Sequence, residues 1–338
     1  MRSKQPDVIV VGAGIIGASI AWRLAQHRVS VQLRDAGRMG CQASSAGAGM
    51  LAPGGEVQGP SAFGKLLVES LRLYPDFVQE LSIATGIQID YRKSGAIETA
   101  GSEKEWITMQ SRAQVQASMG VRSEPGGATT LFYPDDAIVD PIDVLSALRV
   151  ACLAEHVEIL EGSPVDRLDT LGASIIVLSA GAWTSSIAGA PEGIPKSFPV
   201  KGHLIGFNLL PGSVGPIRRC GHTYLLQRAN GFTIAGSSTE HKGFDLAVDP
   251  ALVDQLRQRA EALYPPLKGL TPIRSWTGLR PGIDAAEPSI GRLGATRYWL
   301  AYGHYRNGIL AAPATAARIA ADIISNLETV SRGLPNNP

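Results

Sequence analysis

Gly12, Gly14 and Gly17 lie in the run Gly12-Ala13-Gly14-Ile15-Ile16-Gly17, and acidic Asp35 follows Gly14 by about 20 residues; these types and spacings hold a dinucleotide. Gly12 permits a tight turn, Gly14 lets the backbone approach a pyrophosphate, and Gly17 lets a helix sit close on a strand. Free amides at the helix start, from Ile15 and Ile16, favour the anionic pyrophosphate. Asp35 is placed to accept hydrogen bonds from a ribose 2′-hydroxyl, and its charge disfavours a 2′-phosphate. NAD and FAD both use this fingerprint, so the motif alone leaves that choice open.

Other reactive side chains lie far along the chain. Arg280, within Gly278-Leu279-Arg280-Pro281-Gly282, and Arg306, within His304-Tyr305-Arg306-Asn307-Gly308, stand in strand-to-loop contexts beside glycines. An arginine so placed can grip both oxygens of a carboxylate, although a surface ion pair uses it equally well. His222 and Tyr224 alternate along a predicted strand and should share a face. The plain alternatives are a structural histidine and a core aromatic. Cys41, Cys152 and Cys220 are odd in number and widely spaced, which predicts neither a disulfide framework nor a metal site and fits a reducing cytoplasm.

The elements that must position these residues follow from the hydrophobic pattern. Residues 7–11 form an unbroken β-branched run, as a strand buried on both faces of a parallel sheet does. Helical spacing over 18–26 and alternation over 29–33 complete a βαβ unit. The loop 41–55 is uncharged and rich in Gly, Ala and Ser, yet it carries Met50-Leu51-Ala52-Pro53, unlike a linker. Helices are predicted over 63–81, interrupted near Pro75, and over 103–119, with a strand over 89–99 between them. Asp140 should cap a helix over 141–155 that has Pro in its first turn. Strands follow at 157–160 and 173–179, the second running into Ala180-Gly181-Ala182-Trp183. Short strands separated by Gly, Pro and Asn from 200 to 236 predict an antiparallel sheet. A helix over 249–263, strands over 273–279 and 298–302 and an Ala/Ile-rich helix over 308–327 complete the chain, and the last eight residues read as frayed. The fold class is α/β with added antiparallel β.

Composition bounds the partners. A chain of 338 residues, 44% hydrophobic, can bury a large core, as two intimately packed domains or one with a large insertion. With 31 Lys+Arg against 30 Asp+Glu, nothing favours nucleic acid or an anionic membrane as partner. Charged residues are only 18%, below the roughly 25% usual for soluble domains, and 38 Gly with 22 Pro imply backbone that turns tightly or lies against something. Arg2 and Lys4 before the charge-free stretch 8–22 imitate a signal peptide. The glycine fingerprint explains that stretch better, and it is shorter than the ~18 residues of a membrane span.

The motifs in residues 7–17, 44–53 (SSAGAGMLAP), 178–183 (LSAGAW), 276–282 (WTGLRPG) and 303–313 (GHYRNGILAAP) together resemble the D-amino-acid oxidase superfamily of FAD enzymes, and within it the glycine oxidases of thiamine biosynthesis. The resemblance spans the whole chain. It implies a Rossmann-like FAD-binding domain from 1–82, 141–199 and 291–330, with an interleaved substrate-binding domain, 83–140 and 200–290, built on an antiparallel sheet. It implies oxidation of glycine, sarcosine or small D-amino acids by hydride transfer from the α-carbon to flavin N5. The imine yields glyoxylate or another 2-oxo acid plus ammonia, molecular oxygen becomes hydrogen peroxide, and in thiamine synthesis the imine feeds the thiazole branch. It further implies a cytoplasmic homo-oligomer, tetrameric in the resembling enzymes. None of the cysteines matches the site where sarcosine oxidases attach flavin, so FAD should be non-covalent. Two rival readings are a D-amino-acid dehydrogenase passing electrons to a quinone and a non-catalytic flavin-binding subunit. The absence of a basic amphipathic helix weighs against the first, and a carboxylate clamp against the second.

Residue by residue, Arg280 matches the arginine that binds the substrate carboxylate and Arg306 a second arginine at the site. Tyr224 takes a positioning and lid role, His222 a weaker polar contact, and Met50 lies in the loop that covers the flavin. Hydride transfer from a neutral amine requires no protein base, so neither His222 nor Tyr224 reads as a nucleophile. Ala36, Ala43, Ser44, Ala48 and Gly49 join the cofactor contacts, with Val165 at the adenine and Gly181 beside the fingerprint. His304, Tyr305, Arg306, Asn307, Gly308, Ile309 and Leu310 bring the start of the last helix to the flavin, where its amides favour an anionic reduced ring. The sequence departs from the family in three places. The stretch 164–174 is shortened, Gly236-Ser237-Ser238-Thr239 stands where a pocket methionine can occur, and Asp35 is shorter than the usual Glu. Arg280→Lys should raise KM for glycine well over tenfold, about the cost of losing a bidentate contact, with flavin absorbance retained; an unchanged KM would remove Arg280 from the clamp.

Overall fold

Residues 5–331 are described by a computed structural model. Strand Val8–Val11 is buried along its whole length and pairs in parallel with Val31–Arg34 on one side and Ile175–Leu178 on the other. Glu158–Leu160, Tyr298–Tyr302 and Ser289–Arg292 extend these into a six-stranded sheet, parallel except for its final pair. Helix Ile15–Gln26 lies on this sheet and against helices Pro141–Ala154 and Gly308–Ser331. This is the expected Rossmann-like layer.

The terminal helix buries Ala311, Ala312, Ala314 and Ala316, whose small side chains let it sit close to its neighbours. Tyr305–Val330 is long and apolar enough to cross a membrane, but 56% of its most apolar window is buried inside the fold. Trp22 and Phe77 meet edge-to-face at 5.9 Å in the core between these helices.

The second sheet has eight strands in the order Arg274–Ile283, Ser197–Asn208, Phe232–Gly236, Thr223–Gln227, Ile217–Cys220, Ala96–Thr99, Thr130–Tyr133 and Glu124–Gly127. It is antiparallel apart from the parallel pair Ile217–Cys220 and Ala96–Thr99. A small sheet of Met50–Leu51, Ala137–Val139 and Tyr91–Arg92 lies beside the nucleotide-type layer.

Several expectations need correction. The stretch 89–99 is not one strand: Tyr91–Arg92 and Ala96–Thr99 belong to different sheets, and Gly95, at φ +68°, turns the chain between them. Helix Ala62–Thr85 runs unbroken through Pro75. The proline removes the donor to Leu71 one turn earlier, but buried Tyr74, Phe77 and Val78 hold the helix by packing. Strand Arg274–Ile283 continues past Arg280, so that arginine sits within a strand. This is an edge strand, where Pro281 can be accommodated. The boundaries 82/83, 199/200 and 290/291 fall inside Ala62–Thr85, Ser197–Asn208 and Ser289–Arg292. The shortened stretch 164–174 contains no strand; Arg297 gathers it by donating to the carbonyls of Leu168, Asp169, Leu171 and Ala173. The expectations for Arg2, Lys4 and the final residues lie outside the described chain.

Tyr74 links two helices. Its hydroxyl donates to the Ile309 carbonyl at 2.9 Å, tying Ala62–Thr85 to the start of the terminal helix. Tyr74→Phe leaves that carbonyl without its donor and should cost about 1 kcal/mol, seen as a lower urea midpoint at unchanged slope.

Candidate functional site

A cleft of about 640 Å³ opens at the carboxyl ends of the central parallel strands and runs toward the second sheet. At its first end, Gly12 has φ +104°, and a Cβ there would lie 2.4 Å from the Ser179 carbonyl oxygen. Ser179 Oγ lies 3.0 Å from the Val11 carbonyl and 2.9 Å from that of Gly12, holding this turn. A Cβ on Gly17 would lie 2.0 Å from the Gly12 oxygen, which accounts for close helix packing. Helix Ile15–Gln26 begins at Gly14, which offers no capping side chain. Ser44 Oγ accepts from the Ile15 amide at 3.0 Å, and Asp35 accepts from the amides of Ala13 (2.7 Å) and Gly37 (2.8 Å). Asp35 therefore braces the turn as well as facing the cleft. Glycines with no room for a Cβ, an N-terminus without its own cap and an acid on the second strand fit the diphosphate and ribose of FAD.

At the other end Arg280 is half-buried, and among the described residues its hydrogen bonds go to neutral acceptors. It donates to Ser237 Oγ at 2.8 Å, to the Ser238 carbonyl at 3.2 Å and to the Lys201 carbonyl at 3.5 Å. Among the described residues no carboxylate comes within ion-pair distance of it, and burial holds its pKa below the ordinary arginine value. A Cβ on Gly202, across the strand pair, would sit 2.3 Å from its guanidinium. Ser238 is in turn fixed by buried His203, whose Nδ1 lies 3.0 Å from Ser238 Oγ and 2.9 Å from Glu240. Tyr224 is buried beside Gly236, where any side chain would strike its hydroxyl, and burial raises its pKa. Arg306 behaves differently: its Nε pairs with Glu56 at 3.0 Å, and Asn307 Nδ2 lies 3.5 Å from the same carboxylate.

A family model described as FAD dependent oxidoreductase matches residues 7–323. The chain belongs to this family. It is 31% identical to the glycine oxidase of Geobacillus kaustophilus, over 96% of this chain and 94% of that protein. It is also 31% identical to the bifunctional protein ThiO/ThiG of Synechocystis, over 93% of this chain and 51% of that longer protein. The crystal structure of glycine oxidase from Geobacillus kaustophilus superposes with a TM-score of 0.90 at 27% identity, covering 96% of this chain and 95% of the other. The protein is an FAD-dependent oxidoreductase of mixed α/β fold.

Within this FAD-dependent enzyme, the cleft brings together nearly all the residues singled out from the sequence. Gly12, Gly14, Ile15, Ile16, Asp35, Ala36, Ala43, Ser44, Ala48, Gly49, Met50, Val165, Gly181, Tyr224, Arg280 and the segment from His304 to Ile309 all line it. Three do not. His222 stands exposed in the turn before strand Thr223–Gln227, so the alternation with Tyr224 fails at the strand end. Leu310 is buried in the helical core, and Gly17 serves packing. Arg306, expected as a second arginine at the site, lines the cleft and is paired with Glu56. His304 is buried against Thr315 Oγ1 at 3.2 Å, and burial pushes its pKa down to about 4, keeping it neutral at neutral pH.

Sequence reasoning missed Glu56 and Arg228, and it placed the run containing Ser237 and Ser238 at the pocket without their role as acceptors for Arg280. Glu56 carried a signal, being the first charge after the uncharged loop 41–55. Nothing local marked Arg228, which is buried and donates to the carbonyls of Ala48 and Val139, with Asp140 at 3.5 Å. It thereby fastens the Met50 loop to strand Ala137–Val139. Trp276 Nε1 fastens the same loop from the other side through the Ala46 carbonyl at 3.0 Å. Arg228→Met unpairs both buried carbonyls and Asp140, so it should lower stability by about 3 kcal/mol. Chemical denaturation of the holoenzyme reads this loss, and wild-type stability would contradict the role given to Arg228.

Proposed function

We propose that the protein is an FAD-dependent oxidase of glycine and other small amino acids, including sarcosine and small D-amino acids, forming the imine and then glyoxylate or another 2-oxo acid with ammonia and hydrogen peroxide. The observation that carries this reading is Arg280, a half-buried guanidinium on the cleft whose partners among the described residues are neutral acceptors. A charge removed from water without an opposite partner is costly, and a single substrate carboxylate supplies that partner. FAD, when bound, supplies the hydride acceptor at N5 and passes the electrons to oxygen.

The chain's own residues do the rest. Arg280 orients the substrate by its carboxylate, and Tyr224 closes the pocket beside it. Neutral His304 offers no positive charge to compete with Arg280. The amides at the start of Gly308–Ser331 favour negative charge next to them. The cofactor is held without a covalent bond by the glycine turn, Ser44, Asp35, Val165 and Gly181, through segments whose boundaries, moved to the element ends, are 5–85, 141–196 and 289–330. The segments 86–140 and 197–288 form the substrate side. The similarity to glycine oxidases and to ThiO/ThiG supports the amino-acid substrate and a role in supplying the thiazole branch of thiamine synthesis. A cytoplasmic homo-oligomer completes the reading.

Purified holoenzyme mixed with glycine, sarcosine or D-alanine should lose flavin absorbance without oxygen and release peroxide under air. Bleaching with no peroxide would replace the oxidase by a dehydrogenase. No bleaching with any of these amines would remove amino-acid oxidation.

A further inference from the structure

Arg280 and Arg306 both line the cleft, yet only one of their charges is balanced by the protein. Glu56 is 11% exposed and spans Arg306 Nε at 3.0 Å with one oxygen and Asn307 Nδ2 at 3.5 Å with the other. Its short helix, Pro53–Glu56, is held from beneath. Buried Gln116 donates through Nε2 to the carbonyls of Gly54 and Val57, each at 2.8 Å, and Asp136 accepts from the backbone of Gly54. Glu56 is therefore a fixed charge. Glu56 and Arg306 are also the carboxylate and the second guanidinium whose fields reach Arg280.

We propose that Glu56 sets the charge class of the substrate: by cancelling Arg306 it leaves the substrate end with one net positive charge, selecting amines with one carboxylate against those with two. This rests on the amino-acid oxidase reading and deepens it. At an effective dielectric of about 20, one unit charge a few ångströms away changes affinity by well over tenfold. A substrate with a second carboxylate would face Glu56, and removal of the Glu56 charge would leave Arg306 free to receive it.

Sarcosine and iminodiacetate test this directly, because they differ by one carboxylate on the carbon attached to nitrogen. In Glu56→Gln the ratio of kcat/KM for iminodiacetate to that for sarcosine should rise about tenfold or more. In Arg306→Gln it should fall, and in the double variant it should return toward wild type. A merely structural role would depress both substrates together and leave the ratio alone. The proposal is overturned if Glu56→Gln leaves the ratio within about twofold, or if both single variants move it in the same direction. Should wild type turn over neither amine, the oxidase reading fails by itself. The charge class is then read by calorimetric titration of the holoenzyme with acetate and malonate. Glu56→Gln should tighten malonate about tenfold or more beyond any change in acetate, and changes in the two anions within about twofold of each other would overturn the proposal.

Discussion

Partial burial of the Arg280 guanidinium, with no carboxylate paired to it among the described residues, is the constraint around which the substrate end is arranged. An ion taken out of water costs several kcal/mol unless its donors are satisfied and its charge is offset. Here Ser237, Ser238 and Lys201 satisfy donors with neutral oxygens, which orients the group and leaves its charge uncompensated. That arrangement needs room and rigidity at once. Gly202 gives the room because any side chain there would overlap the guanidinium, and His203 with Glu240 gives rigidity by fixing Ser238. The edge position of Arg274–Ile283 matters too. A strand paired on one side only can present Arg280 to the cleft and still receive the Met50 loop through Trp276.

The two ends of the cleft are built from different materials. At the fingerprint, the Asp35 carboxylate braces the amides of Ala13 and Gly37, and main chain meets main chain where Gly12 lies against Ser179 and Gly17 against Gly12. Such contacts admit glycine alone and move little. At the substrate end, side chains with definite charges decide what fits. The uncharged loop 41–55 joins the ends as a common wall, pinned by Arg228 from one side and Trp276 from the other, and it is followed at once by Glu56, which reaches Arg306.

What could be read from the sequence divides along the same line. The βαβ unit was legible to within about three residues because its cause is local: a β-branched run, three glycines and a helical repeat within about thirty positions. The strand predicted over 89–99 failed because its halves take partners in different sheets, a choice that no local pattern encodes. Pro75 failed in the opposite sense, since packing of Tyr74 and Phe77 outweighs one missing backbone bond. His222 was misplaced because alternation holds only inside a strand, and this one starts at Thr223. Arg228 was invisible: its acceptor at Ala48 lies 180 residues away.

Arg280 and Arg306 show how far motif alone can carry. Both sit beside glycine, both match arginines of the resembling family, and both reach the cleft, so the sequence presents them as equivalents. Their electrostatic states are opposite because of what the distant chain brings opposite each. Arg280 faces carbonyls and a serine hydroxyl, which orient without neutralising, whereas Arg306 faces a carboxylate positioned by Gln116 through the carbonyls of Gly54 and Val57. Exposure differs in the same direction: Arg306 is exposed, whereas Arg280 is half-buried. A charge that is partly desolvated and, among the described residues, has no counterion is the one a small anion gains most by meeting. The motif therefore identifies two candidate cations, and the counterion map decides which of them is available to a ligand.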